Sequence, residues 1–277
     1  MKTTTKKIIY LAGGMLLIIL VVVVLLVKYN TDSDKFRNLE EIIHSGKLHV
    51  VSENSSIGFN IEKDSISGFQ YEILKIFANS LGIELEISIK NDLNNCINDL
   101  NKGKYDIIAK FVPITTEWND IVLFSEPLLI SRQMLVQRIS EGEETGTIEH
   151  QYQLANDSIF IPLHSPHKMR LQHLSDEIAD TIYIVELKNQ NSETLAALVS
   201  EGKIRNTICH EQLSRKFIRQ YSNLDASVPV SLSQPYGWIV NKESEDLLKE
   251  LNDFLSSFIE SREYWNLYRK YYVVTGN

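Results

Sequence analysis

The longest apolar stretch of the 277-residue chain lies near its start, where residues 8–27 carry no charged side chain. At about 1.5 Å per residue, a helix of this length spans about 30 Å, the thickness of the hydrocarbon core of a bilayer. The pattern therefore predicts a transmembrane anchor over residues 8–27. A short tail, residues 1–7, precedes it, and a polar linker, residues 28–38, follows it.

A cleaved signal peptide is the alternative interpretation of this segment. Signal peptides have shorter apolar cores that end at small residues, whereas the run from Leu16 to Val27 is bulky throughout. Lys2, Lys6 and Lys7 outnumber Lys28, so the positive-inside rule places the N-terminus in the cytoplasm. We expect a retained single-pass anchor in the cytoplasmic (inner) membrane, with the rest of the chain in the periplasm or outside the cell.

After the linker, short apolar segments alternate with segments of helical periodicity. Strands are predicted at Leu48–Ser52, Ile83–Ile89, Tyr105–Ala109, Ser158–Leu163, Thr181–Glu186 and Arg205–Cys209. Helices are predicted at Leu39–His44, Phe69–Leu81, Leu93–Leu100, His167–Leu174, Glu193–Val199, Glu211–Tyr221 and Asp246–Tyr272. Repeated β-α-β units imply parallel strands with right-handed crossovers, and their ligands bind beyond the carboxyl ends of the strands. Two such series predict an α/β fold of two lobes.

Composition narrows the possible functions. A formal charge of −8 without a clustered basic surface argues against a nucleic-acid partner. Cys96 and Cys209 are interpreted as separate thiols, because two distant cysteines do not make a disulfide framework. The spacing of His164, His167, Cys209 and His210 is not that of a zinc motif, so no metal site is expected. No phosphate-binding loop or catalytic motif occurs, so neither a cofactor nor an enzyme is expected.

Several short motifs occur in a fixed order along residues 39–272. They are LEEIIHSGKLHV at 39–50, GFQYEIL at 68–74, LNKGKYD at 100–106, ITTE at 114–117, FSEP at 124–127, GKI at 202–204 and YRKYY at 268–272. In this order they resemble the family 3 solute-binding domain of the type 2 periplasmic binding proteins. The nearest likeness is to the binding domain of membrane-bound lytic murein transglycosylase F.

The resemblance implies a type 2 periplasmic-binding-protein fold after the transmembrane helix, with a ligand held between lobes that close upon it. The first lobe would comprise residues 39–130 and 232–277, and the second lobe residues 131–231. The chain would cross between them near Leu129–Gln137 and near Val228–Trp238.

The likeness to transglycosylase F does not extend to its catalytic domain, because only residues 273–277 follow the last predicted helix. Glu260-Ser261 matches the Glu-Ser pair of those enzymes but lies inside that helix, where a position on a solvated helix face is favoured over a catalytic role. We therefore expect a membrane-anchored solute-binding protein for transport or sensing, without catalysis. The alternative is a non-catalytic cell-wall protein that binds peptidoglycan fragments or a murein enzyme. A permease is the expected partner in the first case.

The residues at the family's ligand site depart from the pattern of its amino-acid binders. That pattern grips the ligand carboxylate with an arginine, where this chain has Trp118 after Ile114-Thr115. His210 stands where an aspartate meets the ammonium group, and His164-Ser165 replaces the usual start of a helix in the second lobe. Free α-amino acids are therefore expected to bind poorly.

Aromatic side chains at these positions favour a larger, less charged ligand, such as a muropeptide or a short peptide, held against Trp118. Phe59, Phe111 and Trp118 are predicted on loops that follow strands of the first lobe. The candidate ligand-binding residues are Glu53, Ser56, Phe59, Phe111, Thr115, Trp118, His164, Ser165 and His210.

Overall fold

The part of the chain that the computed structural model describes comprises residues 15, 18–23, 36–62, 65–139 and 146–273. Of the predicted anchor over residues 8–27, most lies outside the described residues. No helix within the described ranges is long and apolar enough to cross a bilayer. The anchor therefore stays a prediction.

The first sheet is built mainly from the N-terminal part of the chain. Its strands are β1 (Lys47–Ser52), β4 (Glu84–Ile89), β5 (Ile107–Pro113), β6 (Val122–Phe124), β7 (Leu129–Ser131) and β13 (Gln234–Asn241). They lie in the order β4-β1-β5-β13-β6, with β7 also paired to β13. β1 is parallel to β4 and β5, as repeated β-α-β units require, whereas β13 returns from late in the chain and runs antiparallel.

Amphipathic helices cover this sheet and together with it form the first lobe. They are α1 (Leu39–Ser45), α2 (Phe69–Ser80), α3 (Leu93–Asn101), α7 (Glu245–Ile259) and α8 (Arg262–Tyr268). The apolar faces of α2 and α7 meet in one core that includes Phe69, Phe77, Leu251 and Leu255. Such burial contributes about 1.5–3 kcal/mol for each large apolar side chain.

The second sheet repeats the pattern. Its strands are β8 (Gln133–Arg138), β9 (Ser158–Pro162), β10 (Tyr183–Leu187), β11 (Asn206–His210) and β12 (Leu224–Asp225), in the order β10-β9-β11-β8-β12. With α4 (His167–Glu177), α5 (Ser192–Ser200) and α6 (Glu211–Gln220) it forms the second lobe. A small hairpin of β2 (Asn60–Glu62) and β3 (Ser65–Ser67) projects from the first lobe.

The chain passes from the first sheet to the second between β7 and β8, at Arg132. It returns between Pro229, which pairs with Met134 of the second sheet, and Gln234, where β13 begins. The last described turn adds a further link, because the guanidinium of Arg219 on α6 donates to the carbonyl of Tyr272.

The structure corrects two element boundaries. The strand predicted at Tyr105–Ala109 is β5, which continues to Pro113 because β13 pairs with its second half. Phe111 therefore lies in a strand and not on a loop.

The helix predicted from Asp246 to Tyr272 ends at Ile259, and α8 begins after it. The Ser261 side chain caps α8 by accepting from the backbone N–H of Tyr264, at 3.1 Å. The new direction turns Tyr264 inward, where its hydroxyl donates to the buried carbonyl of Leu128 at 2.6 Å. Ser261 thus has a structural role.

Candidate ligand-binding site

A cavity of about 70 Å³ lies between the two lobes, where parallel strands of both sheets end. The first lobe lines it with residues that follow β1 and β4 and with the second half of β5. The second lobe lines it with residues that follow β9, β10 and β11. The polar and aromatic side chains of this lining belong to Glu53, Asn91, Lys110, Phe111, His164, Ser165, His167, Gln190, Asn191, Ser192 and His210.

A compact loop after β1 holds Glu53 at the cavity wall. Its Oε1 accepts from the hydroxyl of Ser55 at 3.2 Å, and Ser55 Oγ accepts from the N–H of Gly58 at 2.8 Å. A Cβ on Gly58 would lie 2.6 Å from the carbonyl oxygen of Glu53, so this turn excludes any side chain there. Burial raises the pKa of Glu53, and the positive charge of Lys110 only partly opposes that effect.

Lys110 is a wall residue that the sequence analysis missed. It is 5% exposed, and its Nζ donates to the carbonyl of Asn91 at 2.7 Å. A signal was present, since Lys110 stands alone within the otherwise apolar run IIAKFV at 107–112.

His164 contributes to the wall from the second lobe. Its backbone has a φ of 55°, a left-handed conformation that non-glycine residues adopt at some energetic cost. Its N–H donates to Oε1 of Glu186 at 2.9 Å, and its Nδ1 lies 2.8 Å from Oδ2 of Asp92 on the first lobe. Burial raises the pKa of Asp92, but hydrogen bonds from Asn95 and His164 outweigh burial, and the net shift is downward.

His167 and His210 are both buried in the second lobe's half of the site. His210 caps α6, since its Nδ1 accepts from the N–H of Leu213 at 3.4 Å, and its ring packs edge-on against Phe111 at 5.7 Å. The Nδ1 of His167 lies 3.0 Å from Oε1 of Gln133. Burial lowers the pKa of His210 to about 4 and that of His167 to about 3, so both imidazoles are neutral at pH 7.

Ser56, Glu193 and Lys216 form a polar contact between the lobes, which we call the latch. The N–H of Ser56 donates to Oε2 of Glu193 at 3.2 Å, and the Ser56 hydroxyl also donates to that carboxylate. The ammonium of Lys216 donates to the Ser56 hydroxyl. Beside the latch, the side-chain amide of Asn191 donates to the carbonyl of Asn54 at 2.5 Å. The lobes are thus closed over the cavity.

The structure brings together only some of the residues predicted from sequence. Glu53, Phe111, His164, Ser165 and His210 line the cavity.

Ser56, Phe59, Thr115 and Trp118 do not line it. Ser56 belongs to the latch, and Phe59 is buried with its ring edge-on to Tyr71 at 5.5 Å. Thr115 Oγ1 is buried within the first lobe, outside the cavity lining.

Trp118 packs on the apolar cluster of its own lobe and borders a separate depression of about 190 Å³, shared with His164, Ser165 and Pro166. Its role in binding stays a prediction. No group of three or more metal-ligating side chains occurs within the described ranges.

Known relatives of this chain include proteins named membrane-bound lytic murein transglycosylase F. The chain is 27% identical over 236 residues to membrane-bound lytic murein transglycosylase F of Desulfosudis oleivorans, covering 85% of this chain and 51% of that protein. It is 28% identical over 207 residues to the protein of the same name from Saccharophagus degradans, covering 75% and 40%. The chain thus spans about half the length of these relatives.

Solved structures share its fold. A solute receptor for L-cysteine from Neisseria gonorrhoeae superposes with a TM-score of 0.73 at 17% identity, over 85% of this chain and 93% of that one. An amino acid ABC transporter substrate-binding protein from Streptococcus pneumoniae, bound to L-arginine, gives 0.71 at 21% identity, over 84% and 98%. The model of the bacterial extracellular solute-binding proteins, family 3, matches residues 48–274. The chain therefore belongs to the family 3 bacterial extracellular solute-binding proteins.

Proposed function

We propose that this protein is a membrane-anchored, extracytoplasmic receptor that captures a small solute between its lobes and does not catalyse its conversion. The observation that carries the proposal is the cavity between the lobes, which the latch and the contact between Asp92 and His164 close. Contacts between the lobes stabilise the closed form, because each adds about 0.5–1.5 kcal/mol.

The size of the cavity favours a small solute. An apolar cavity of about 150 Å³ in a protein interior is enough to hold benzene, and this cavity is about half as large. A muropeptide would require the lobes to stay open. The closed form therefore supports a ligand of few heavy atoms over the larger ligand expected from the aromatic residues.

Chemistry at the cavity supports binding without catalysis. His210 caps α6 and His167 hydrogen-bonds to Gln133, so both imidazoles have structural partners. Burial raises the pKa of the Cys209 thiol, which disfavours the reactive thiolate.

The apolar run over residues 8–27 and the lysines before it support the membrane anchor. Protease added to spheroplasts should digest the lobes while the protein remains in the membrane fraction. Mature protein that begins near Thr31 in a soluble fraction would contradict the anchor.

A second candidate is a cell-wall protein that binds peptidoglycan fragments or a murein enzyme. The observation that favours it is the name shared by the relatives, membrane-bound lytic murein transglycosylase F. Co-sedimentation of the full chain with purified peptidoglycan separates the two. Binding to the polymer that small solutes do not displace would favour the second candidate.

The test of the main proposal is thermal melting of the full chain, purified in detergent, against a panel of small solutes. The panel contains amino acids, small organic acids and their amides, sugars, nucleosides and dipeptides. A ligand that binds only the folded state should raise the melting temperature in a concentration-dependent way. A panel without any such solute would contradict capture of a small solute.

A further inference from the structure

Lys110 is an unusual residue for the interior of a sheet. Lysine is almost never fully buried unless paired, because transfer of an ammonium ion from water into a protein interior is expensive. Lys110 is nevertheless 5% exposed, and it lies in the middle of β5 beside the buried residues Ala109 and Val112. Such a charge needs compensation from nearby groups.

The protein itself supplies little of that compensation. An ammonium carries three N–H donors, and the bond that Lys110 Nζ makes is with the carbonyl of Asn91. Nζ forms no ion pair with a carboxylate of the described residues. Neighbouring lysines differ in this respect, because Lys90 pairs with Asp99, and Lys216 pairs with Glu193 in the latch. Lys110 thus retains donors and a charge that face the cavity it lines.

Glu53 presents a carboxyl group to the same cavity. Its carboxylate accepts one side-chain hydrogen bond, from Ser55, and it too lacks an ion pair with a lysine or arginine of the described part. The positive charge of Lys110 acts on the carboxyl group of Glu53, and no hydrogen bond or ion pair joins these two side chains within the described residues. The space between an ammonium and a carboxyl group that are both short of partners suits a ligand that complements each of them.

We propose that Lys110 binds the anionic group of a small ligand in the inter-lobe cavity, while Glu53 accepts a hydrogen bond from a donor group at the ligand's other end. This inference rests on the proposed function, because it assumes that the cavity is the binding site. The ligand class is a small carboxylate, phosphonate or sulfonate that also carries an amino or hydroxyl group. Asn91 holds the lysine in place by accepting one of its three donors.

Matched pairs of probes test the charge requirement directly. The probes are glycolate and glycolamide, lactate and lactamide, and glycine, β-alanine, D-alanine and L-alanine with their amides. Aminomethylphosphonate and taurine test the other anionic groups. Melting curves and calorimetry on the full chain should find an acid that binds at least tenfold more tightly than its amide.

Variants of Lys110 then locate the charge. Lys110→Met should weaken binding of that acid at least tenfold. Lys110→Gln keeps a donor for Asn91 but no charge, so it should fold with a melting temperature near that of the wild type and bind equally weakly. Lys110→Arg should retain more affinity than either. Lys104→Met, which removes an exposed lysine of the same lobe that meets Asp99, should leave affinity unchanged.

The outcomes distinguish this inference from the proposed function. Equal binding of an acid by wild type and by Lys110→Gln would overturn the role of Lys110. Tight binding of a neutral sugar, nucleoside or amide, with no acid bound, would overturn the anionic class yet leave solute capture intact. Failure of every solute in both panels would contradict solute capture, and the inference about Lys110 would fall with it.

Discussion

His164 Nδ1 lies 2.8 Å from Asp92 Oδ2, and this contact joins the second lobe to the first beside the cavity. Asp92 also caps α3 by accepting from the N–H of Asn95 at 3.1 Å, so its position is fixed before the lobes meet. The left-handed backbone of His164 presents the imidazole to this carboxylate. Strain at a residue that bridges the lobes is consistent with a role in closure.

The latch should control how often the lobes open. Glu193→Ala removes the carboxylate that accepts from the N–H of Ser56, so amide exchange in a peptide covering residues 53–59 should accelerate by about tenfold, the equivalent of about 1.4 kcal/mol. Hydrogen exchange followed by mass spectrometry measures this. Glu201→Ala removes a carboxylate just after the same helix, where it pairs with Lys203, and should leave the peptide unchanged. Equal exchange in Glu193→Ala and wild type would argue against a closed resting state.

Acid should destabilise the fold through the buried histidines. The folded-state pKa is about 4 for His210 and about 3 for His167, both below the ordinary value of 6.5. Above pH 6.5 neither state binds the extra protons. Below pH 6.5 the two histidines bind protons in the unfolded chain but not in the folded chain. The free energy of unfolding therefore decreases as the pH is lowered. Urea unfolding at pH 7.5 and 5.5 should differ by roughly 1–3 kcal/mol.

His210→Asn keeps an acceptor that can cap α6 and should remove part of this loss. The raised pKa of Glu53 acts with the opposite sign, because stability that it contributes at low pH is lost as pH rises through its folded-state pKa. In Glu53→Gln, the decrease in the free energy of unfolding between pH 7.5 and 5.5 should therefore be equal to or larger than in the wild type. An unchanged pH dependence in His210→Asn would contradict a neutral buried His210.

The turn at Gly58 should tolerate no side chain. In Gly58→Ala the added Cβ would lie 2.8 Å from Cγ of Glu53 and closer still to its carbonyl oxygen, so the loop must move. We expect a loss of roughly 1–3 kcal/mol in the free energy of unfolding, and weaker binding of any ligand that the melting screen identifies. Gly82→Ala is the control, because its added Cβ meets no atom within 4 Å and its φ of +70° imposes only backbone strain. Unaltered ligand affinity in Gly58→Ala would contradict a role of Glu53 in ligand binding.

Two buried tyrosines should respond differently to loss of the hydroxyl. Tyr264 donates to the carbonyl of Leu128 at 2.6 Å, so Tyr264→Phe leaves a buried acceptor unpaired and should cost about 1–2 kcal/mol in urea unfolding. The Tyr272 hydroxyl is buried without a partner in the described part of the chain, so Tyr272→Phe should be neutral or stabilising. A larger loss of stability in Tyr272→Phe than in Tyr264→Phe would contradict the packing described for these two hydroxyl groups.

Local sequence pattern predicted most elements of the fold, because the alternation of short apolar segments with segments of helical periodicity is a short-range signal. The local pattern failed where contacts with segments distant in sequence determine the secondary structure. The second half of β5 is a strand because Val112 and Pro113 pair with Gly237 and Tyr236, more than a hundred residues away. The break at Ser261 interrupts an apolar pattern that continues on both sides of it.

The candidate site was only partly predictable for the same reason. Its position after the first strand identified Glu53, since strand ends meet at one edge of a sheet. Departures from the family's amino-acid-binding pattern identified His164 and His210. Lys110 stands out in sequence as a charge within an apolar run, but its importance depends on its burial and on the lack of a carboxylate partner among the described residues, which the folded arrangement reveals. Trp118 was predicted to bind the ligand because it stands where the family pattern has an arginine, yet it packs mainly on its own lobe.

The most direct test of the account is the distance between the lobes, measured by double electron–electron resonance. Spin labels at Lys102→Cys and Asp176→Cys occupy exposed positions on opposite lobes, and the native cysteines are buried. A solute identified by melting should make the distribution of distances between the labels narrower and centre it on the shortest distances. Glu193→Ala combined with His164→Ala should shift the distribution to longer distances. A distribution that responds neither to that solute nor to loss of these contacts would contradict capture of a ligand by closure of the lobes.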